Sequence, residues 1–182
     1  IYLRGAGSPS KLASKAIKYL FFDEIDKMGG ASKKEASPFS LAKERTKTYK
    51  PQEKIFATST PTIRSNYIWD LKENAEEEKH FFVPCPHCGE MIELSMKSIK
   101  YSGNENLSNE DRANTANYYC QECGTEIVDG DKPKMLRNGE WRTVRKRGIG
   151  HAKKVAYWMN TLYSIFIKWS DVAKEFLDSK DD

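Results

Sequence analysis

The stretch Tyr19-Leu-Phe-Phe-Asp-Glu-Ile-Asp26 joins four apolar or aromatic residues directly to two adjacent carboxylates. An unbroken apolar run of this length predicts a β-strand that is buried on both faces, as in a parallel sheet covered by helices. Such a strand places Asp23 and Glu24 at its carboxyl end, where open α/β sheets bind ligands. The alternative from these residues alone is a buried strand that ends in a solvated acidic turn.

The acidic pair at Asp23 and Glu24 occupies the position of a Walker B motif in a P-loop NTPase. In that motif the Asp holds Mg²⁺, directly or through water, and the Glu polarises the attacking water. Asp23 and Glu24 are therefore the candidate catalytic residues, with Asp23 directed toward Mg²⁺ and ATP. A Walker A loop needs the pattern G-x-x-x-x-G-K-[ST], and no segment of these 182 residues supplies it.

Composition sets broad limits on the class of protein. The length of 182 residues suits one domain, or one domain plus a small module, and 38% hydrophobic residues supply an adequate core. The formal net charge of +4 permits a nucleic-acid partner without requiring one. No apolar run approaches the ~20 residues of a membrane span, so we expect no membrane partner. The chain begins at Ile1 in strand-like sequence, so we expect a piece of a longer protein.

Further elements are predicted on both sides of this strand. Ile1–Arg4 reads as a short strand, and a helix starts at Ser8–Pro9 after a Gly5–Gly7 turn. The other predicted elements are a helix within 38–49, a buried strand at 54–58, an amphipathic helix at 63–78 with a solvated acidic end, and a last helix capped by Ser170.

Four cysteines form two Cys-x-x-Cys pairs, Cys85/Cys88 and Cys120/Cys123, and a glycine follows each pair. Two such turns supply four sulfurs, which suits one tetrahedral zinc ion per chain with a structural role, because a closed shell leaves no open position. Two disulfides, a redox pair and an iron–sulfur centre are the alternatives. The neighbouring His80 and His87 are not needed to complete the shell.

The segment 131–154 is basic, with nine Lys or Arg residues against two acids. A basic run of this kind either meets DNA phosphates or is a solvated face, and the second is the more common. The candidate DNA contacts are Arg142, Arg145, Lys146, Arg147, Lys153 and Lys154.

Several motifs in this order resemble the large terminase subunit of lambda-like tailed phages, the DNA-packaging motor. The motifs are Gly-Ala-x-Ser-Pro at 5–9, Phe-Phe-Asp-Glu-Ile-Asp at 21–26, Arg-Thr-x-Thr-Tyr at 45–49, Ser-Thr-Pro-Thr at 59–62, the two cysteine turns, Gly-x-Trp at 139–141 and Asn-x-Leu-Tyr-Ser at 160–164. Each motif is weak by itself, but their joint order is specific and spans nearly the whole chain.

The resemblance implies an ATPase coupled to movement of double-stranded DNA in the cytoplasm of a bacterial host. It implies that Asp23 and Glu24 are the Walker B acids, and that Ser59, Thr60 and Thr62 form the coupling motif. Arg45 is a candidate charge-stabilising arginine, although a solvent-facing helix residue is the simpler interpretation. The terminase small subunit and the procapsid portal are the implied partners.

The resemblance also defines the expected architecture. We expect the second half of a P-loop ATPase core of the ASCE type, with a parallel sheet formed by 1–79 and 149–182, and a zinc-ribbon insertion at 80–148. In the family the Walker A loop lies upstream, so this chain alone is expected to lack turnover and to self-associate through exposed sheet surface. The alternatives are a helicase-like ATPase and a zinc-ribbon module that binds nucleic acid or protein without catalysis.

Overall fold

The computed structural model describes residues 1–6, 15–28, 36–61 and 63–180. The chain divides into two compact units, Ile1–Asn74 and Ala75–Asp182. The helix start predicted at Ser8–Pro9, the glycines at 29–30 and Thr62 lie outside the described residues. None of the helices in the described part of the chain is both long and apolar enough to cross a membrane.

The described part of the first unit contains a two-stranded parallel sheet and two short α-helices. The elements are β1 (Tyr19–Phe22), α1 (Pro38–Glu44), β2 (Lys54–Ala57) and α2 (Tyr67–Glu73). The apolar runs predicted both strands, and in the structure Tyr19 pairs with Lys54 and Phe22 pairs with Ala57. Helix α1 begins where Ser37 accepts a hydrogen bond from Ser40 N and proline occupies the first helical position.

One face of this sheet is buried and the other is exposed. Phe22 packs in the core, 4.9 Å from the Phe39 ring of α1, and Ile25 is completely buried beside it. On the opposite face, Phe21 is 74% exposed and Phe56 is 54% exposed. The prediction that β1 is buried on both faces is therefore wrong here, because the described helices cover only the face that carries Phe22.

Two predicted elements of the first unit differ from the structure. Ile1–Arg4 is exposed and forms no strand. Helix α2 ends at Glu73 instead of continuing to Glu78, although its apolar positions do pack on the core. The reason is that Glu77 already begins the next strand, where backbone pairing replaces the helical hydrogen bonds.

The second unit is organised around the long strand β3, which has β8 and β9 as neighbours. Its elements are β3 (Glu77–Pro84), β4 (Met91–Ile92), β5 (Ile99–Lys100), α3 (Asn109–Asn114), β6 (Asn117–Tyr119), β7 (Glu126–Ile127), α4 (Lys132–Arg137), β8 (Glu140–Lys146), β9 (Val155–Trp158) and α5 (Trp169–Asp178). Strands β4 and β8 pair with β3 antiparallel, β9 pairs with it parallel, and β5-β6-β7 form a separate antiparallel sheet.

The core of the second unit combines aromatic rings with buried hydrogen bonds. Tyr118 and Trp169 are almost completely buried with ring centroids 4.9 Å apart. The Tyr163 hydroxyl accepts a hydrogen bond from Leu94 N at 2.9 Å and donates to the Phe81 carbonyl. Burial raises the pKa of Tyr163, so this hydroxyl keeps its proton and its donor role.

The last segment of the chain belongs to this second unit. Strand β9 pairs with β3, and α5 contributes Trp169 and Leu177 to the same core. The predicted division into 1–79, 80–148 and 149–182 stays a prediction, as does the return of the last segment to the ATPase core.

Candidate functional site

The carboxyl ends of β1 and β2 lie side by side because the two strands are parallel and in register. Thr58 N donates to the Phe22 carbonyl at 2.9 Å, and Ile25 N donates to the Thr58 carbonyl at 3.1 Å. These bonds continue the pairing past the last strand residues. They hold the acidic turn after β1 against the Ser-Thr-Pro segment after β2.

Asp26 connects this turn to two other segments. Its backbone N–H donates to Ser59 Oγ at 3.2 Å, and its carboxylate accepts a hydrogen bond from Ile68 N at 2.8 Å. Ile68 lies in the first turn of α2, where backbone N–H groups lack helical partners. The sequence analysis gave Asp26 no role, and the available signal was a third acid two residues after Glu24.

Asp23 and Glu24 are both accessible at this edge. Asp23 is exposed, and the Glu24 carboxylate lies 3.3 Å from Lys27 Nζ in a partly exposed ion pair, which contributes little to stability. Glu24 adopts φ 50° and ψ 52°, the left-handed conformation. For a residue with a Cβ this conformation costs roughly 1–2 kcal/mol, and such strain concentrates at functional sites.

The other predicted residues of this site are distributed along the first unit. Ser59 is half-buried at the edge, Thr60 is exposed beside it, and Thr62 lies outside the described residues. Arg45 is half-buried just after α1, and its carbonyl accepts a hydrogen bond from Ile17 N at 2.9 Å.

The four cysteines come together in the second unit. Their sulfur atoms all lie within 4.8 Å of one another, with Cys85 and Cys123 Sγ 3.9 Å apart and Cys88 and Cys120 Sγ also 3.9 Å apart. All are free thiols, which excludes the disulfide alternative in this structure. Cys85 and Cys120 are buried, whereas Cys88 and Cys123 are exposed.

The two cysteine turns have the same backbone hydrogen bonds. In the first, Gly89 N donates to the Cys85 carbonyl at 3.0 Å, and in the second, Gly124 N donates to the Cys120 carbonyl at 3.0 Å. Both glycines have positive φ, at 78° and 71°, which explains why glycine follows each pair. His87 N and Glu122 N point at the Cys85 and Cys120 sulfurs, at 3.5 and 3.4 Å.

The arrangement fits a tetrahedral metal ion. Metal–sulfur bonds of ~2.3 Å require sulfurs ~3.8 Å apart, close to the 3.9 Å of the Cys85–Cys123 and Cys88–Cys120 pairs. Hydrogen bonds from Thr125 lower the pKa of Cys123 to about 6. The Glu90 backbone favours the Cys88 thiolate, but desolvation and the neighbouring sulfurs outweigh it and raise the pKa of Cys88 to about 12. All four sulfurs could be deprotonated together only with a cation between them.

Neither nearby histidine belongs to the sulfur cluster, as the sequence analysis expected. His87 Nε2 donates to the Glu126 carbonyl at 2.7 Å and so links the two cysteine turns. His80 lies between two carboxylates, with Nδ1 2.7 Å from Glu93 and Nε2 2.9 Å from Glu78.

The candidate DNA contacts divide into two groups in the structure. Arg145 donates two hydrogen bonds to the buried Glu78 carboxylate, at 3.0 and 2.9 Å, and Arg142 pairs with Glu140 at 2.7 Å. Arg145 therefore has a buried partner, whereas the Arg142–Glu140 pair is exposed. The other four are exposed near the connection between β8 and β9: Lys146, Arg147, Lys153 and Lys154.

Comparison with known proteins identifies the family of this chain. The chain belongs to the family described as phage terminase large subunit gpA, ATPase domain. The sequence model of that family matches residues 1–141. The resemblance found in the sequence is thus confirmed.

A particular relative is the terminase large subunit of Enterobacteria phage P21. It is 24% identical over 202 aligned positions, which include 98% of this chain. The chain spans 30% of the length of that relative. No solved structure gives a significant match.

The strain at Glu24 leads to a prediction about stability. The Glu24→Gly variant should raise the free energy of unfolding by about 0.5–1 kcal/mol, because glycine adopts positive φ without a Cβ penalty. Urea unfolding of the 182-residue chain measures this change. Glu24→Ala is the matched control, since it removes the same carboxylate and keeps the Cβ. Equal stability of the two variants would contradict the assignment of strain to this backbone position.

Proposed function

We propose that this chain supplies the Walker B and coupling segments of the ATPase in a phage DNA-packaging motor. Membership of the terminase family supports this function over a helicase or an isolated zinc module. The observation that carries the proposal is the parallel edge, where the acidic turn after β1 is hydrogen-bonded to the segment after β2. The fold would then be part of a P-loop ATPase sheet.

The residues at this edge fit Mg²⁺ and ATP. Carboxylate oxygens are the ligands that Mg²⁺ prefers, and both acids are accessible after a parallel strand. Asp23 would hold the ion, directly or through water. Glu24 would orient the water that attacks the γ-phosphate and accept its proton. Bound Mg²⁺ would neutralise the charge that develops on the phosphates. The phosphate-binding loop would come from outside these 182 residues.

Asp26 extends this proposal from hydrolysis to coupling. Glu24 and Asp26 are separated by one residue, and Asp26 contacts both Ser59 and the first turn of α2. A rearrangement of the acidic turn after phosphate release would therefore alter the hydrogen bonds of Ser59 and α2. We assign Ser59, Thr60 and Thr62 to this relay, and Arg45 remains a candidate for stabilising phosphate charge.

The four-cysteine cluster is proposed to hold one structural zinc ion. All four ligand positions are sulfur, so no site is left for a catalytic water. The segments that carry the two cysteine pairs are joined through this cluster and through the His87–Glu126 hydrogen bond. Zinc would therefore add stability to the second unit by connecting them.

The partners and location of the motor follow from the family. We propose double-stranded DNA, the terminase small subunit and the procapsid portal as partners, in the cytoplasm of the bacterial host. The exposed outer face of the β1–β2 sheet, with Tyr19, Phe21 and Phe56, supports self-association of the isolated chain.

The catalytic role of Glu24 is tested in the full-length large subunit. Glu24→Gln should lower the rate of DNA-stimulated ATP hydrolysis by at least about 100-fold, because an amide cannot accept the proton of the attacking water. ATP binding should be retained. Glu44→Gln is the control, since Glu44 is an exposed acid on α1 paired with Lys47. Normal turnover in the Glu24→Gln enzyme would remove Glu24 from the catalytic role.

The metal assignment is tested by elemental analysis of the purified 182-residue chain. About one zinc ion per chain is expected, and Cys85→Ser should abolish zinc retention and lower the melting temperature. His87→Ala should keep the zinc, because His87 lies in the same turn but outside the sulfur cluster. Iron in place of zinc, or equal zinc loss in the two variants, would contradict a four-thiolate zinc site.

A further inference from the structure

The connection between β8 and β9, residues 147–154, forms a loop whose two ends meet at Glu76. Arg147 N donates to the Glu76 carbonyl at 2.7 Å, and Lys153 N donates to the Glu76 carboxylate at 2.7 Å. Glu76 N donates in turn to the Lys154 carbonyl at 3.0 Å. One residue therefore closes the base of the loop and fixes where its tip projects.

The surface of this loop is positively charged and contains no acid. Four exposed cations lie at its two ends: Lys146, Arg147, Lys153 and Lys154. Two neighbouring carboxylates offset part of this charge: Glu76 binds the loop backbone, and Glu77 accepts from the Thr143 hydroxyl and pairs with Lys79 at 3.5 Å. Lys146 lies opposite Glu77 in the strand register.

The tip of the loop carries an apolar side chain that has nothing to pack against. Ile149 is fully exposed, and it lies between Gly148 and Gly150. Both glycines have positive φ, at 81° and 94°, and no atom lies within 4 Å of the position a Cβ would take at either one. The backbone therefore makes a narrow projection with isoleucine at its end, between the cations at the two ends of the loop.

We propose that loop 147–154 is a contact for duplex DNA, in which the lysines and Arg147 meet phosphates and Ile149 enters a groove. Isoleucine is among the apolar side chains that proteins insert into the minor groove between base steps. The loop contains no phenylalanine, tyrosine or tryptophan, and His151 is its one ring, so it offers little of the stacking surface that single-stranded DNA requires. The inference rests on the proposed function, which supplies DNA as the partner.

This assignment divides the basic run that the sequence presented as one group. Arg145 is held by the buried Glu78 carboxylate across the sheet, so it is not expected to contact phosphates, whereas Arg142 forms an exposed ion pair with Glu140 of the same strand. The DNA contacts are instead assigned to the cations at the base of the loop and to its apolar tip.

The test measures how binding of a labelled duplex DNA to the zinc-loaded 182-residue chain depends on salt. For the double variant Lys153→Ala/Lys154→Ala, affinity near 0.1 M salt should fall at least about tenfold, and the slope of log K against log salt should become shallower by about 2. Ile149→Ser should weaken binding several-fold with an unchanged slope, because the residue carries no charge.

The matched control is Lys134→Ala/Arg137→Ala, which removes the same charge from exposed positions on α4. For this control, the slope of log K against log salt should change by less than about 1. The proposal would be overturned if the two double variants had equal effects, or if the slope did not change in the loop variant. It would also be overturned if the wild-type chain did not bind the duplex. Equal binding to anionic lipid vesicles, with the same loss in the loop variant, would also overturn it. ATP hydrolysis in the Glu24→Gln subunit tests the motor function separately.

Discussion

Parallel pairing of β1 with β2 is the constraint on which the candidate active site depends. Because parallel strands end at the same edge, residues 23–26 and 58–61 are adjacent although about 30 positions of chain separate them. The hydrogen bonds from Thr58 to Phe22 and from Ile25 to Thr58 keep that adjacency beyond the sheet. A shift of one residue in register would turn Phe22 out of the core and move the acids away from Ser59.

In the second unit, polar side chains hold the strands and loops together in addition to the apolar core. The three successive acids of 76–78 illustrate this: Glu76 closes a loop, Glu77 binds Thr143, and Glu78 holds both His80 and Arg145. Burying Glu78 without its cation would be costly, so the pair fixes β8 against β3. The sulfur cluster is a second polar contribution, since the zinc ion proposed for it would join the two cysteine turns.

The sequence was most informative where the signal is local. The apolar runs of β1 and β2 and the spacing of the cysteines predicted correct strands and a correct cluster, because periodicity and ligand spacing are properties of short segments. The sequence did not indicate contacts between residues that lie far apart in the chain. Nothing near Asp26 indicates its contact with Ile68, 42 positions away, and nothing near Arg145 indicates Glu78, 67 positions away. The exposure of Phe21 likewise depends on which faces other segments cover.

The function proposed for this chain requires that the edge after β1 and β2 face the nucleotide. The most direct measurement is an experimental structure of the full-length large subunit with Mg²⁺ and a non-hydrolysable ATP analogue. We expect Asp23 to coordinate Mg²⁺ directly or through one water, and Glu24 to be hydrogen-bonded to the water in line with the γ-phosphate. Ser59 should still be hydrogen-bonded to Asp26. A nucleotide bound elsewhere, with Asp23 and Glu24 directed into solvent, would contradict it.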